Sequence, residues 1–144
     1  KQLDHSAQLT SQVSREHLCE HDHGKMFRLQ PDLLIDTDEQ RWILDTKWKR
    51  VDARKPETNY DLSQADFYQL FAYGHKYRGE ADKPNLVLIY PFWSGLQKAL
   101  PVFDYGGDMN LWVLPFDLDN ERLLNADCVG IPIRQTRLPI AGWS

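Results

Sequence analysis

The sequence predicts an α/β domain built around one mixed sheet, and three observations carry that expectation. Apolar and polar residues alternate with a period of two in three segments before residue 50. One amphipathic helical pattern follows, and directly after it comes Leu86-Val87-Leu88-Ile89-Tyr90, a continuous apolar run of the kind that fills a strand buried on both faces. The order β-β-β-α-β, with further strands behind it, then fits a chain of 144 residues as one domain. With 42% hydrophobic and 26% charged residues the composition is that of an ordinary globular protein, which excludes a disordered chain, a collagen-like repeat and a disulfide-dense mini-protein. No apolar run approaches the roughly 18 residues of a membrane span. Cys19 and Cys128 are too few for a disulfide framework and fit a reducing compartment.

The elements follow in order. Lys1 to Ser11 is polar and carries no signal-peptide pattern, and the chain, lacking an initial Met, reads as a piece of a longer protein. A first strand is expected over Val13–Glu20, then a polar turn at His21–Lys25 in which Gly24 supplies conformational freedom. Met26–Ile35 reads as a second strand, with Phe27 and Leu29 alternating against Arg28 and Gln30, and Pro31 marks an edge, bulge or bend within it. After the turn at residues 36–40, a third strand is expected over Arg41–Arg50, completing an antiparallel meander. Residues 56–61 form a loop, and Asp61 or Ser63 caps a helix running to about Arg78, where Gly79 stops it. At about 100° per residue, Phe67, Leu70, Phe71, Gly74 and Tyr77 fall on its packed side. Beyond the buried run, Ala99–Tyr105 and Met109–Leu118 read as two further strands separated by Gly106-Gly107-Asp108.

The chemistry concentrates in the third strand. Alternation places Trp42, Leu44, Thr46 and Trp48 on one face and Ile43, Asp45, Lys47 and Lys49 on the other, with Asp45 and Lys47 about 7 Å apart. An ionised pair inside a Trp-rich strand costs desolvation unless it is paired or faces a cleft. Asp32, at the Pro31 bend of the preceding strand, can reach the same end of the sheet. Two carboxylates meeting there make a site for a hard divalent cation such as Mg²⁺. A lysine beside it can orient water and stabilise charge on a phosphate. On the helix, Asp66, Gln69 and Tyr73 lie within about 60° of one another at the margin of the packed face.

Pro31-Asp32, Asp45-Thr46-Lys47 and Gln69 with Tyr73, in that order, resemble the PD-(D/E)xK nuclease signature, the last pair being similar to the extra motif of RecB-like members. Four longer blocks, Phe27–Ile35, Ile43–Lys49, Asp66–Tyr73 and Leu88–Pro91, together resemble the C-terminal nuclease domain of the McrC family. The resemblance covers a motif-bearing core of about residues 13–92, and 93–144 form a strand-rich extension of the same single domain. It implies a restriction-endonuclease-like core whose central mixed sheet is flanked by helices. It also implies Mg²⁺-dependent cleavage of DNA at modified-cytosine sites, with Mn²⁺ as a substitute. Asp32 and Asp45 would bind the metal, Lys47 would assist the attacking water, and Gln69 and Tyr73 would support the site. The implied partners are DNA, a GTP-driven McrB-like motor engaged through a region outside this piece, and a second copy for double-strand cleavage, in a prokaryotic cytoplasm and without a membrane. Many members add an acid from a helix ahead of the first strand, for which Glu16 and Glu20 are the available stand-ins.

Two other signals weigh in. His17-Leu18-Cys19-Glu20-His21 matches the His-x-x-Glu-His pattern of inverted zinc peptidases, but that chemistry needs a helix, and on a strand the two histidines stand about 13 Å apart. Residues 41–55 hold six basic and two acidic side chains in a chain of net charge −4, so Lys49, Arg50, Arg54 and Lys55 are candidate phosphate contacts that fix position without reading sequence. The competing functions are a RecB-like exonuclease or repair nuclease and a non-catalytic DNA-binding assembly module. Trp93, Trp112 and Trp143 are expected to serve packing.

Overall fold

A computed structural model describes residues 7–11, 15–78 and 83–132 of the chain. Nine strands are described: β1 (Gln8–Ser11), β2 (Glu16–His21), β3 (Gly24–Leu29), β4 (Leu33–Asp36), β5 (Arg41–Thr46), β6 (Asn85–Pro91), β7 (Phe103–Asp104), β8 (Asn110–Asp117) and β9 (Arg122–Leu123). One α-helix, α1 (Gln64–Lys76), lies between β5 and β6, and 3₁₀ turns occupy Pro56–Asp61 and Ala126–Val129. The main sheet is mixed, in the order β1-β4-β5-β6-β8-β7, with β9 also pairing β8. Strands β5, β6 and β8 are mutually parallel, and the outer pairings are antiparallel.

Side-chain alternation sorts the sheet into two apolar layers. Leu34, Ile43, Leu86 and Leu88 face α1, where they meet Leu70, Tyr73 and Tyr77. Leu33, Ile35, Trp42, Leu44, Val87 and Ile89 face the other way and are covered by Leu123, Ala126, Val129 and Ile131. The Trp42 indole donates to the Val129 carbonyl at 3.2 Å, fastening the second 3₁₀ turn to the sheet. Gly74 sets the closeness of the helix: a Cβ there would lie 2.6 Å from Met109 Sδ. Ser63 caps α1, its hydroxyl accepting from the amides of Ala65 and Asp66. Arg41 holds the other end, donating to the Tyr77 carbonyl while gripping Asp36 with two nitrogens.

Several expectations need correction. The segment Met26–Ile35 is two strands in two different sheets, β3 and β4, separated at Gln30-Pro31-Asp32. Proline has no amide to offer a ladder, and the Asp32 amide is diverted to the Asp45 side chain at 3.1 Å. The continuous meander is therefore replaced by a separate β2–β3 ribbon and a β4–β5 hairpin. Tyr77 ties the ribbon to the helix, accepting from the Glu16 amide and donating to the Leu29 carbonyl. Phe27 takes a positive φ of 61° and lies 65% exposed, so it leaves the inward alternation that Leu29 keeps.

The strand expected over Val13–Glu20 is Glu16–His21, and the polar opening segment contributes the edge strand β1. The strand expected to reach Arg50 ends at Thr46, and Ala99–Tyr105 keeps only Phe103–Asp104 as strand. Phe71 is 40% exposed, edge-on to His75, while Tyr73 takes a buried place on the helix face. Among the described residues one α-helix covers one face of the sheet, rather than helices flanking both. Val13, Gly79 and Trp143 lie outside the described residues.

Candidate active site

The site forms at the carboxyl ends of the parallel strands, where open α/β sheets place ligands. β5 ends at Thr46, but the Lys47 amide still donates to the Ile89 carbonyl at 2.9 Å, holding the Lys47 backbone against β6. Asp45 continues the alternation from Ile43, so it faces the helix side. Lys47 joins it there: its Nζ lies 3.0 Å from Asp45 Oδ2.

Asp32 arrives from the bend between β3 and β4. Its amide donates to Asp45 Oδ1, while its own Oδ2 accepts from the Thr46 amide at 2.9 Å and the Thr46 hydroxyl at 2.7 Å. The two aspartates are thereby laced together across adjacent strands. Gln69 reaches in from α1, its Oε1 accepting a hydrogen bond from Lys47 Nζ. Tyr73, one turn on and 2% exposed, belongs to the core beneath the site, bonds to the Gln30 backbone and is near enough to Asp45 and Asp32 to feel their charge. Burial first, then the charges of Asp45 and Asp32, push its hydroxyl well above the usual phenol range, so it stays protonated.

Asp45 carries the strongest electrostatic signature. Burial, followed by the neighbouring Asp32 charge, pushes its pKa up to about 7, against the opposing pull of Lys47. Two adjacent carboxylates, one of them buried, thus hold more negative charge than one ammonium offsets. That donor set fits Mg²⁺, which takes one or two protein carboxylates and completes its shell with water and substrate phosphate. Among the described residues no group of three or more His, Cys, Asp or Glu side chains is arranged to hold a metal, so neither Glu16 nor Glu20 joins the pair.

Two further side chains, Asp66 directly and Tyr90 through it, reach the lysines of the site. Asp66, in the first turn of α1, places its carboxylate 3.7 Å from Lys47 Nζ and 3.1 Å from Lys49 Nζ. Tyr90, on β6, donates its hydroxyl to Asp66 Oδ2 at 3.2 Å. Asp66 shares the helix margin with Gln69 and Tyr73, which was the available signal for it; for Tyr90 no local spacing gives one.

Arg54 grips Asp52 with two nitrogens, and Lys55 lies 3.7 Å from Asp61. Arg50 and Arg54 both sit over the Trp93 ring, 4.6 and 5.3 Å from its centroid, and the Trp93 indole donates to the Val51 carbonyl. His17 and His21 lie on strand β2, a geometry that removes the zinc-peptidase reading, which needs them one helical turn apart. Trp112 packs against the apolar layer opposite the helix. No helix among the described residues is long and apolar enough to cross a membrane.

No curated protein matches the chain significantly. A family model described as McrBC 5-methylcytosine restriction system component matches residues 1–91, a span that contains Asp32, Asp45, Lys47, Asp66, Gln69, Tyr73 and Tyr90. That match covers more than half of the chain and supports its placement with McrC. The chain belongs to the McrBC family of 5-methylcytosine restriction system components.

Proposed function

We propose that this chain is the nuclease part of a McrC-like restriction subunit, hydrolysing DNA phosphodiester bonds in a magnesium-dependent reaction on a restriction-endonuclease-like core. The observation that carries the reading is the convergence of Asp32, Asp45, Lys47 and Gln69 at one end of the parallel strands. Asp32 and Asp45 would hold the metal. When bound, Mg²⁺ supplies Lewis-acid charge at the phosphate and acidifies a coordinated water. Lys47 stabilises negative charge as it develops on the phosphate and orients the attacking water. Gln69 keeps the ammonium in place, and Tyr73, protonated and buried in the core, supports the site from beneath. Lys49 and Arg50 flank the mouth as phosphate contacts, with Arg54 and Lys55 behind them.

A net charge of −4 gives the chain little sequence-independent hold on DNA, since that hold comes from neutralised phosphates and released counterions. Delivery by a McrB-like GTPase motor supplies what is missing, and a second copy supplies the cut in the other strand, in the cytoplasm of a prokaryotic cell. The test is plasmid cleavage by the chain with Mg²⁺ or Mn²⁺ at physiological salt, with and without a motor partner, beside Asp45→Ala and Lys47→Ala. Cutting that needs both metal and motor, and disappears in both variants, is expected. Undiminished cutting by Asp45→Ala would refute the site, and rapid cutting by the chain alone would refute the dependence on a partner.

Gln69 and Tyr73 suit the RecB-like alternative as well, but the family match favours the restriction subunit, and two cysteines cannot supply the four-cysteine iron–sulfur cluster that such nucleases often carry. The Asp32–Asp45–Lys47 constellation weighs against a non-catalytic assembly module, because a buried Asp45 set against a second carboxylate costs folding energy and offers nothing to a DNA phosphate.

A further inference from the structure

We infer that Asp66, fixed by Tyr90, is a positioning residue that sets the two lysines of the site, Lys47 and Lys49; its consequence for catalysis rests on the nuclease reading above. The Asp66 side chain is only 15% exposed, yet it collects three polar partners from three parts of the chain. The Tyr90 hydroxyl donates from β6, Lys49 approaches from the loop, and Lys47 stands 3.7 Å away at the end of β5. A carboxylate removed from water is costly unless paired and hydrogen-bonded, and here two of the three partners are the lysines themselves while Tyr90 holds the carboxylate between them. The backbone position of Asp66 is fixed as well, because its amide is bound by the Ser63 cap.

The arrangement solves a geometric problem. With Asp45 and Gln69 as its only partners, the Lys47 ammonium would lie against Asp45 and neutralise a carboxylate needed for a cation. Asp66 offers a second anion on the helix side, so that Lys47 can leave Asp45 without leaving the site. The same carboxylate holds Lys49, 39% exposed, at the mouth, where a phosphate can exchange for Asp66. Strand β6 governs both ends of Lys47: the Ile89 carbonyl takes its amide, and Tyr90, the next residue, steadies the acid beside its ammonium.

The experiment has two arms, both using the full chain, with Asp66→Asn and the milder Tyr90→Phe. In the first, DNA cleavage is measured with Mg²⁺ and the motor partner, beside Asp45→Ala, and thermal midpoints are recorded. We expect kcat to fall about tenfold in Asp66→Asn with little change in KM or midpoint, below the ~10²-fold cost of a misplaced reacting group. Tyr90→Phe should show a smaller loss in the same direction. In the second arm, lysines are labelled by reductive methylation and quantified residue by residue, with exposed Lys25 as internal reference. Labelling of Lys49, and to a lesser degree Lys47, should rise several-fold in Asp66→Asn. Unchanged labelling of both lysines overturns the inference. So does wild-type kcat in both variants when Asp45→Ala is inactive, and so does a loss of activity that merely tracks a fallen midpoint. If the wild-type protein does not cut, the nuclease reading has failed, and the labelling arm alone decides the positioning role.

Discussion

Asp45 and Asp52 stand seven residues apart, at the end of β5 and in the loop beyond it, and both have little exposed area, 5% and 4%. Asp45 lies deep in the protein, whereas Asp52 lies near the surface under the exposed Arg54. Their acidities move in opposite directions. Asp45 is pushed up to about 7 by burial and by Asp32. Asp52 is pulled down to about 2, first by the Arg54 guanidinium that grips both its oxygens. The loop gives its acid a fixed, two-point cation and gains local structure in return, since the Asp52 side chain also accepts from the Arg54 amide. The strand end gives its acid a second acid and a shared lysine, an arrangement that costs folding energy. An acid with a dedicated partner is scaffold, whereas an acid set against another acid is a place where a cation or a reaction is expected.

Substitution should separate the two most sharply. Asp45→Asn keeps the acceptor for the Asp32 amide while removing the buried charge. Cleavage should fall by about 10²-fold or more, the scale on which lost electrostatic catalysis registers, while the thermal midpoint at pH 8 holds or rises. Asp52→Asn should do the reverse: the midpoint falls and cleavage by the assembled complex changes little. Parallel melting curves and cleavage rates check this, and a shared response of the two variants would break the distinction.

The contrast also explains how much was legible beforehand. Period-two alternation placed Asp45 and Lys47 on one face, and that survived even though the strand ends at Thr46, because the Lys47 amide still bonds to β6. The bend at Pro31 brought Asp32 alongside, as a residue without an amide donor predicts. What could not be read was long-range. Whether β3 and β4 share a sheet depends on where the Asp32 amide goes, and it goes to a side chain thirteen residues away. The pairing of Tyr90 with Asp66 joins a strand to a helix across 24 positions, with no periodicity to announce it. The closure of the second face by the turn at Ala126–Val129 rests on the Trp42 indole and a carbonyl 87 positions on. Of the basic run, the sequence displays its charge but not its commitments to Asp52, Asp61 and Trp93.

A smaller effect appears in the pH dependence of stability in divalent-free buffer. The folded protein binds the Asp45 proton more tightly than the unfolded chain, whose value is 3.8. The stabilisation from that proton is complete below pH 3.8 and is lost as the pH rises through about 7. Asp52 runs the other way: its contribution is complete above pH 3.8 and is lost as the pH falls through about 2. Urea midpoints from pH 3 to 8 should therefore decline toward neutrality in the wild type and flatten in Asp45→Asn. Added Mg²⁺ should restore stability at pH 8 in the wild type alone. A wild-type profile that rises steadily from pH 4 to 8 would show that Asp45 titrates as an ordinary carboxylate.

The smallest effect tests the two arginines stacked on Trp93. Arg54 is committed to Asp52, whereas Arg50, the exposed residue after Lys49, rests on the ring. An exposed cation–π contact contributes about 0.5–1 kcal/mol, so Arg50→Ala should lower stability by no more than that. If Arg50 meets a phosphate, its removal also deletes one counterion-release event, and the slope of log affinity against log salt should drop by about one. Arg54→Ala should lower the thermal midpoint more and leave the slope unchanged, because its charge is already spent on Asp52. Binding of the motor-assembled protein to one duplex across a salt series measures both slopes. Equal slopes for wild type and Arg50→Ala would make Arg50 a packing residue like its neighbour, and would leave Lys49 as the phosphate contact at the mouth.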